Sequence, residues 1–145
     1  MSKNSPPPSR PSRKDFLRGA ALTALLPLLP RISRAEAERI GVLEVAPGIF
    51  VHVGKYALVN SENRGDISNA CCVVGSSTAA VIDTGGSYKV GAALHEAIKQ
   101  ITDKPIRYVI NTHMHPDHVL GNAAFEAGGI EFIGHHKLAA ALSAR

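Results

Sequence analysis

The sequence predicts an α/β protein, and three observations carry the prediction. Residues 105–112 are rich in β-branched and aromatic types and read as a buried strand. Ahead of them Val90, Ala93, Leu94, Ala97, Ile98 and Ile101 recur at i, i+3, i+4, i+7, i+8 and i+11, which is one apolar face of a helix. Earlier still, short apolar runs at about 69–74 and 78–82 flank Gly75-Ser76-Ser77 and read as a hairpin.

Residues 1–37 read as an export leader. The Pro/Ser-rich stretch 5–12 is disordered by composition. Ser12-Arg13-Lys14-Asp15-Phe16-Leu17-Arg18 resembles a twin-arginine signal with Lys14 in place of the second arginine, which leaves the twin-arginine and general secretory routes both open. The apolar stretch 19–29 is broken by Pro27 and too short for a membrane span, and Ala35-Glu36-Ala37 offers a small-x-small cleavage site. The alternative is an amphipathic helix retained in a cytoplasmic protein.

Charge follows the same boundary. Residues 1–37 hold seven Lys and Arg against two acidic residues, and the rest holds nine against ten. The overall +4 therefore belongs to the leader, and the domain offers no basic surface for nucleic acid.

The folded domain spans 38–145. Strands are expected around 42–45 and 48–53, with a turn at Pro47-Gly48, followed by a polar loop from about 55 to 66. In the strand that follows, the adjacent Cys71 and Cys72 should face opposite sides, with at least one buried; a disulfide between neighbours would be strained. On the helix, His95, Glu96 and Lys99 fall off the apolar face, so His95 is expected in solvent. After the strand at 105–112, a helix is expected over 119–125, then a strand over 130–133 and a helix opening near Lys137.

Between the 105–112 strand and the next helix lies His113-Met114-His115-Pro116-Asp117-His118, four potential metal ligands in six residues. Residues at i and i+2 of an extended segment share a face, so His113 and His115 can grip one ion. Pro116 suits the first position of a helix, whose opening turn would aim Asp117 and His118 at a second ion nearby. Imidazole and carboxylate donors together suit zinc. The turn from a strand's carboxyl end into a helix is also where α/β folds place their chemistry.

Ala80-Val81-Ile82-Asp83-Thr84-Gly85-Gly86, followed by an amphipathic helix, a strand and Thr112-His113-Met114-His115-Pro116-Asp117-His118, resembles the first half of a metallo-β-lactamase-fold hydrolase. More narrowly, residues 62–69 and 118–125 resemble the exported zinc metallohydrolases that accompany quinoprotein dehydrogenase systems. The resemblance runs from about Gly41 onward. It implies an α/β fold, the N-terminal half of a four-layer αββα sandwich, in which further metal ligands come from the second half.

By the same resemblance, His113 and His115 belong to a first zinc, and Asp117 and His118 to a second. Asp117 would also orient the water, and Asp83 would lie beneath the ligands and orient them. Zinc lowers the pKa of bound water to about 7, and the resulting hydroxide would attack a small ester, thioester, lactone or amide in the periplasm. His135 and His136 match a non-ligand position. The second class left open is a non-catalytic exported metal-binding or accessory fragment.

Overall fold

The structure, a computed structural model, describes residues 40–126 and 128–144. The leader expected over 1–37 lies outside them.

Six strands form one sheet in strictly sequential order: β1 (Leu43–Ala46), β2 (Ile49–His52), β3 (Ala70–Val74), β4 (Ala79–Ile82), β5 (Ile106–Asn111) and β6 (Glu131–Gly134). The first four form an antiparallel meander, and β5 and β6 then add in parallel. The expected turn at Pro47-Gly48 is present, with Gly48 at φ +75, where its missing Cβ leaves room for the Val74 carbonyl.

Helix α1 (Tyr88–Ile101) links β4 to β5. Ser87 caps it by accepting a hydrogen bond from the Val90 amide, and Lys99 in the last turn complements the helix dipole. The expected apolar face is the buried one: Leu94 and Ile98 pack with Ala70, Cys72, Ala79, Val81, Val109 and Phe125 to make the core. His95 differs from expectation. Its Nδ1 lies 3.1 Å from the Ala124 carbonyl and its ring stacks on Phe125 at 4.9 Å, so it bridges to the segment after the ligand motif.

That segment is broken in two. Helix α2 (Pro116–Val119) opens on Pro116 as expected, and a separate 3₁₀ turn covers Asn122–Phe125. The break falls at Gly121, whose amide donates to the Gly85 carbonyl instead of continuing the helix. A short helix α3 (Leu138–Ser143) follows β6.

The cysteines alternate as expected. Cys72 is buried on the helix-covered face, Cys71 is half-buried on the other, and both are free thiols. On that second face the register aligns two apolar rows, Leu43–Val51–Cys71–Ile82–Ile110–Ile133 and Ile49–Val73–Ala80–Tyr108. Leu43, Ile49, Val73 and Ile133 are exposed there.

Candidate metal centre

Parallel pairing of β4 and β5 sets the two sequence motifs side by side. Ile82 stands opposite Ile110, and the Asp83 amide donates to the Ile110 carbonyl at 2.9 Å, so Asp83 emerges beside Thr112 and the ligand loop. Small residues let the backbones close in. A Cβ on Gly86 would lie 2.4 Å from the Gly65 carbonyl oxygen and 3.1 Å from the Asp117 Cα, and one on Gly121 would lie 2.0 Å from the Thr84 carbonyl oxygen.

Asp83 is buried and takes a left-handed backbone, φ +58, which costs a non-glycine residue about 1–2 kcal/mol although aspartate tolerates it better than most. Its carboxylate accepts from the Thr112 amide at 2.9 Å, the Thr112 hydroxyl at 2.7 Å and His118 Nδ1 at 2.7 Å. These partners fix both rings. A carboxylate only accepts, so His118 carries a proton on Nδ1, which leaves Nε2 as the ring atom that can turn to an ion. Thr112 gives its single hydroxyl proton to Asp83; at 2.9 Å from that oxygen, His113 Nδ1 must then be the donor, which frees His113 Nε2.

The freed atoms meet other donors. His113 Nε2 lies 3.1 Å from His115 Nδ1, and His118 Nε2 lies 3.3 Å from Asp117 Oδ2. Two nitrogens at that separation can both reach one zinc with bonds of about 2.0–2.1 Å. Donor atoms of His113 and His115 thus lie within reach of each other, as do those of Asp117 and His118. The His113 and His118 rings stand 4.1 Å apart, which brings the pairs together.

Asp83, His113 and His118 also offer ligand atoms within 4.8 Å of one another. Both Asp83 oxygens also accept hydrogen bonds, Oδ1 from the Thr112 amide and Oδ2 from the Thr112 hydroxyl and His118. His135 and His136 lie where β6 leads into α3, their rings tilted at 41° with centroids 4.1 Å apart.

Several supporting residues make contacts that the sequence does not show. The Ser68 hydroxyl donates to the Asp117 carbonyl across 49 residues of chain. Buried His52 places Nε2 2.6 Å from Asp66 Oδ1 and Nδ1 2.9 Å from the Gly41 carbonyl, which anchors the 55–66 loop to β2. Val53, Lys55, Tyr56, Ile67 and Ser68 line a shallow cavity of about 470 Å³ that reaches Asp117 and His118.

Fold and site together define a metallohydrolase-like α/β domain. The family model described as the metallo-beta-lactamase superfamily matches residues 63–143, more than half of the chain, and the chain belongs to that superfamily. It is similar to a linear primary-alkylsulfatase from a Pseudomonas species, 40% identical over 45 residues, which cover 31% of this chain and 8% of that protein. Among solved structures, it matches the metallo-β-lactamase FIM-1 from Pseudomonas aeruginosa in its mono-zinc form, with TM-score 0.60, 25% identity, and 73% of this chain against 46% of that one. The metallo-β-lactamase from Erythrobacter litoralis, with β-mercaptoethanol in its active site, gives TM-score 0.61, 21% identity and coverage of 73% and 46%. The chain spans about half the length of these structures and less than a tenth of the alkylsulfatase.

Proposed function

We propose that this chain supplies the metal-binding loop of a zinc-dependent hydrolase that acts on a small ester, thioester, lactone or amide. The observation that carries the reading is the pair of donor pairs, with the His113 and His118 tautomers set by Asp83 and Thr112. His113 and His115 would hold one ion, and Asp117 and His118 a second. Zinc, when bound, supplies a Lewis acid and brings the pKa of its water to about 7. Asp117 would orient the attacking water, and Asp83 would keep both rings in the orientation that exposes Nε2.

Elemental analysis of the purified chain tests this, with up to two zinc ions expected and a loss in His115→Ala and in Asp117→Ala. Equal zinc in the wild type and a His113→Ala/His115→Ala double variant sinks the reading. Turnover is tested with a chromogenic lactam, a thioester and, given the short similarity to an alkylsulfatase, a linear alkyl sulfate.

A second reading is a metal-binding accessory protein without turnover. It is favoured by the grouping of Asp83, His113 and His118 ligand atoms within 4.8 Å, which can hold an ion whether or not a substrate is turned over. Zinc binding with no turnover of any of the three substrates selects it.

The leader motifs extend the proposal to periplasmic export, with a mature N-terminus near Glu38, and the 62–69 and 118–125 stretches to a role beside quinoprotein dehydrogenases. Mass spectrometry of fractionated cells tests the export; intact 1–37 found only in the cytoplasm refutes it. No described helix is long and apolar enough to cross a membrane.

A further inference from the structure

The ligand loop, residues 112–121, carries all four motif donors between two asparagines that the mechanism leaves unused. Asn111 ends β5 and is buried; Asn122 opens the 3₁₀ turn. Their side chains pair reciprocally: Asn122 Nδ2 donates to Asn111 Oδ1 at 2.8 Å, and Asn111 Nδ2 donates to Asn122 Oδ1 at 3.1 Å. The Thr84 hydroxyl donates to the same Asn122 Oδ1 at 2.8 Å and lies 3.2 Å from the His118 carbonyl, which also accepts the Thr84 amide at 2.9 Å. The amide pair therefore closes the base of the loop, and Thr84 ties that closure to the backbone of a candidate ligand.

We propose that Asn111 and Asn122 form a clasp that positions the ligand loop, acting through Thr84 on His118. The inference rests on the zinc-site reading and adds to it the residues that set the loop's geometry. Two physical points support it. Paired amides are directional, whereas buried apolar side chains such as Val109, Val119 and Phe125 are not. Two apolar side chains of similar volume could fill this space at little cost in stability, so what the pair adds is a fixed register between the two ends of the loop.

That contrast supplies the experiment, carried out on the full chain. An Asn111→Leu/Asn122→Leu variant replaces the pair with apolar volume, and Asn122→Ala serves as the second variant should the first fail to fold. Amide hydrogen exchange is followed by NMR on the metal-free chain, and zinc affinity by competition with a chromophoric chelator. The clasp predicts exchange at least about tenfold faster at Thr84, His118 and Gly121, while Leu94 and Val109 keep their protection. Zinc affinity should fall by about 10–100-fold.

Unchanged exchange at the three loop amides overturns the proposal, as does equal acceleration at Leu94 and Val109, which would mark a general structural role. A loosened loop that binds zinc as tightly as the wild type overturns the positioning role. If the wild type itself holds no zinc, the metal centre fails, and the exchange comparison still decides whether the clasp exists.

Discussion

At the scale of single residues, Asp83 combines a strained backbone with a carboxylate that serves three donors. These two properties can be separated by substitution. Both Asp83→Ala and Asp83→Gly remove the acceptor, but only alanine keeps a Cβ in the left-handed region. Asp83→Gly should therefore be about 1–2 kcal/mol more stable than Asp83→Ala in urea melts, while both lose zinc affinity about 10–100-fold. Equal stability of the two variants would show that the turn carries no strain. The motif histidines, Asp117 and Asp83 are legible in the sequence because they are chemically distinctive and closely spaced. Ser68, Thr84 and Asn122 fall within stretches that carry the family resemblance, but they and Asn111 are ordinary polar residues whose partners lie 11 to 49 positions away, so no local pattern shows what they hold.

Elements show the same division between local signal and tertiary contact. Helix α1 was readable from its period, yet Gly91 within it looks like a flaw, since glycine in a helix costs about 1 kcal/mol relative to alanine. Its role is visible only in three dimensions: a Cβ there would lie 2.4 Å from the Gly121 carbonyl oxygen. Gly91→Ala should thus destabilise the chain by about 1–3 kcal/mol in a urea melt, against the sign of helix propensity. The split after α2 has the same origin, because the Gly121 amide is drawn to Gly85 and the helical pattern of 119–125 cannot show that pull. His95, half-buried, reaches an acceptor, Ala124, that its own helix does not contain. In β3, period-2 alternation was enough to place the cysteines. Burial pushes the Cys72 thiol up to about 11 from an ordinary 9.0, with a smaller contribution from Cys71, and burial also raises Cys71. At pH 8 iodoacetamide should label Cys71 slowly and Cys72 least, with both at free-thiol rates in urea. The sign for stability follows: the fold holds the Cys72 proton more tightly than the unfolded chain does. Its contribution is complete below pH 9 and is lost as pH rises toward about 11, so the urea midpoint should fall across that interval.

For the whole molecule, the helix-covered face of the sheet is a packed core, and the opposite face presents two apolar rows with Leu43, Ile49, Val73 and Ile133 exposed. A contiguous apolar surface of this kind binds hydrophobic dyes and promotes association. An Ile49→Thr/Val73→Thr variant should bind less dye and associate less on sedimentation, with its melting midpoint little changed; a large drop in midpoint would show these side chains to be part of the core. The fold class and the order of the elements were legible because each has its own period, whereas their meeting at the site depends on the parallel β4–β5 register. The strand order has a further meaning in time. Among the described residues every strand pairs only with the strands before and after it in sequence, so the sheet can grow from β1 toward β6 as a chain emerges from the ribosome, without waiting for a distant partner. Asp83 is then made before any of the partners of its amide and carboxylate, Ile110, Thr112 and His118, so its turn is fixed only when β5 docks and brings the ligand loop with it.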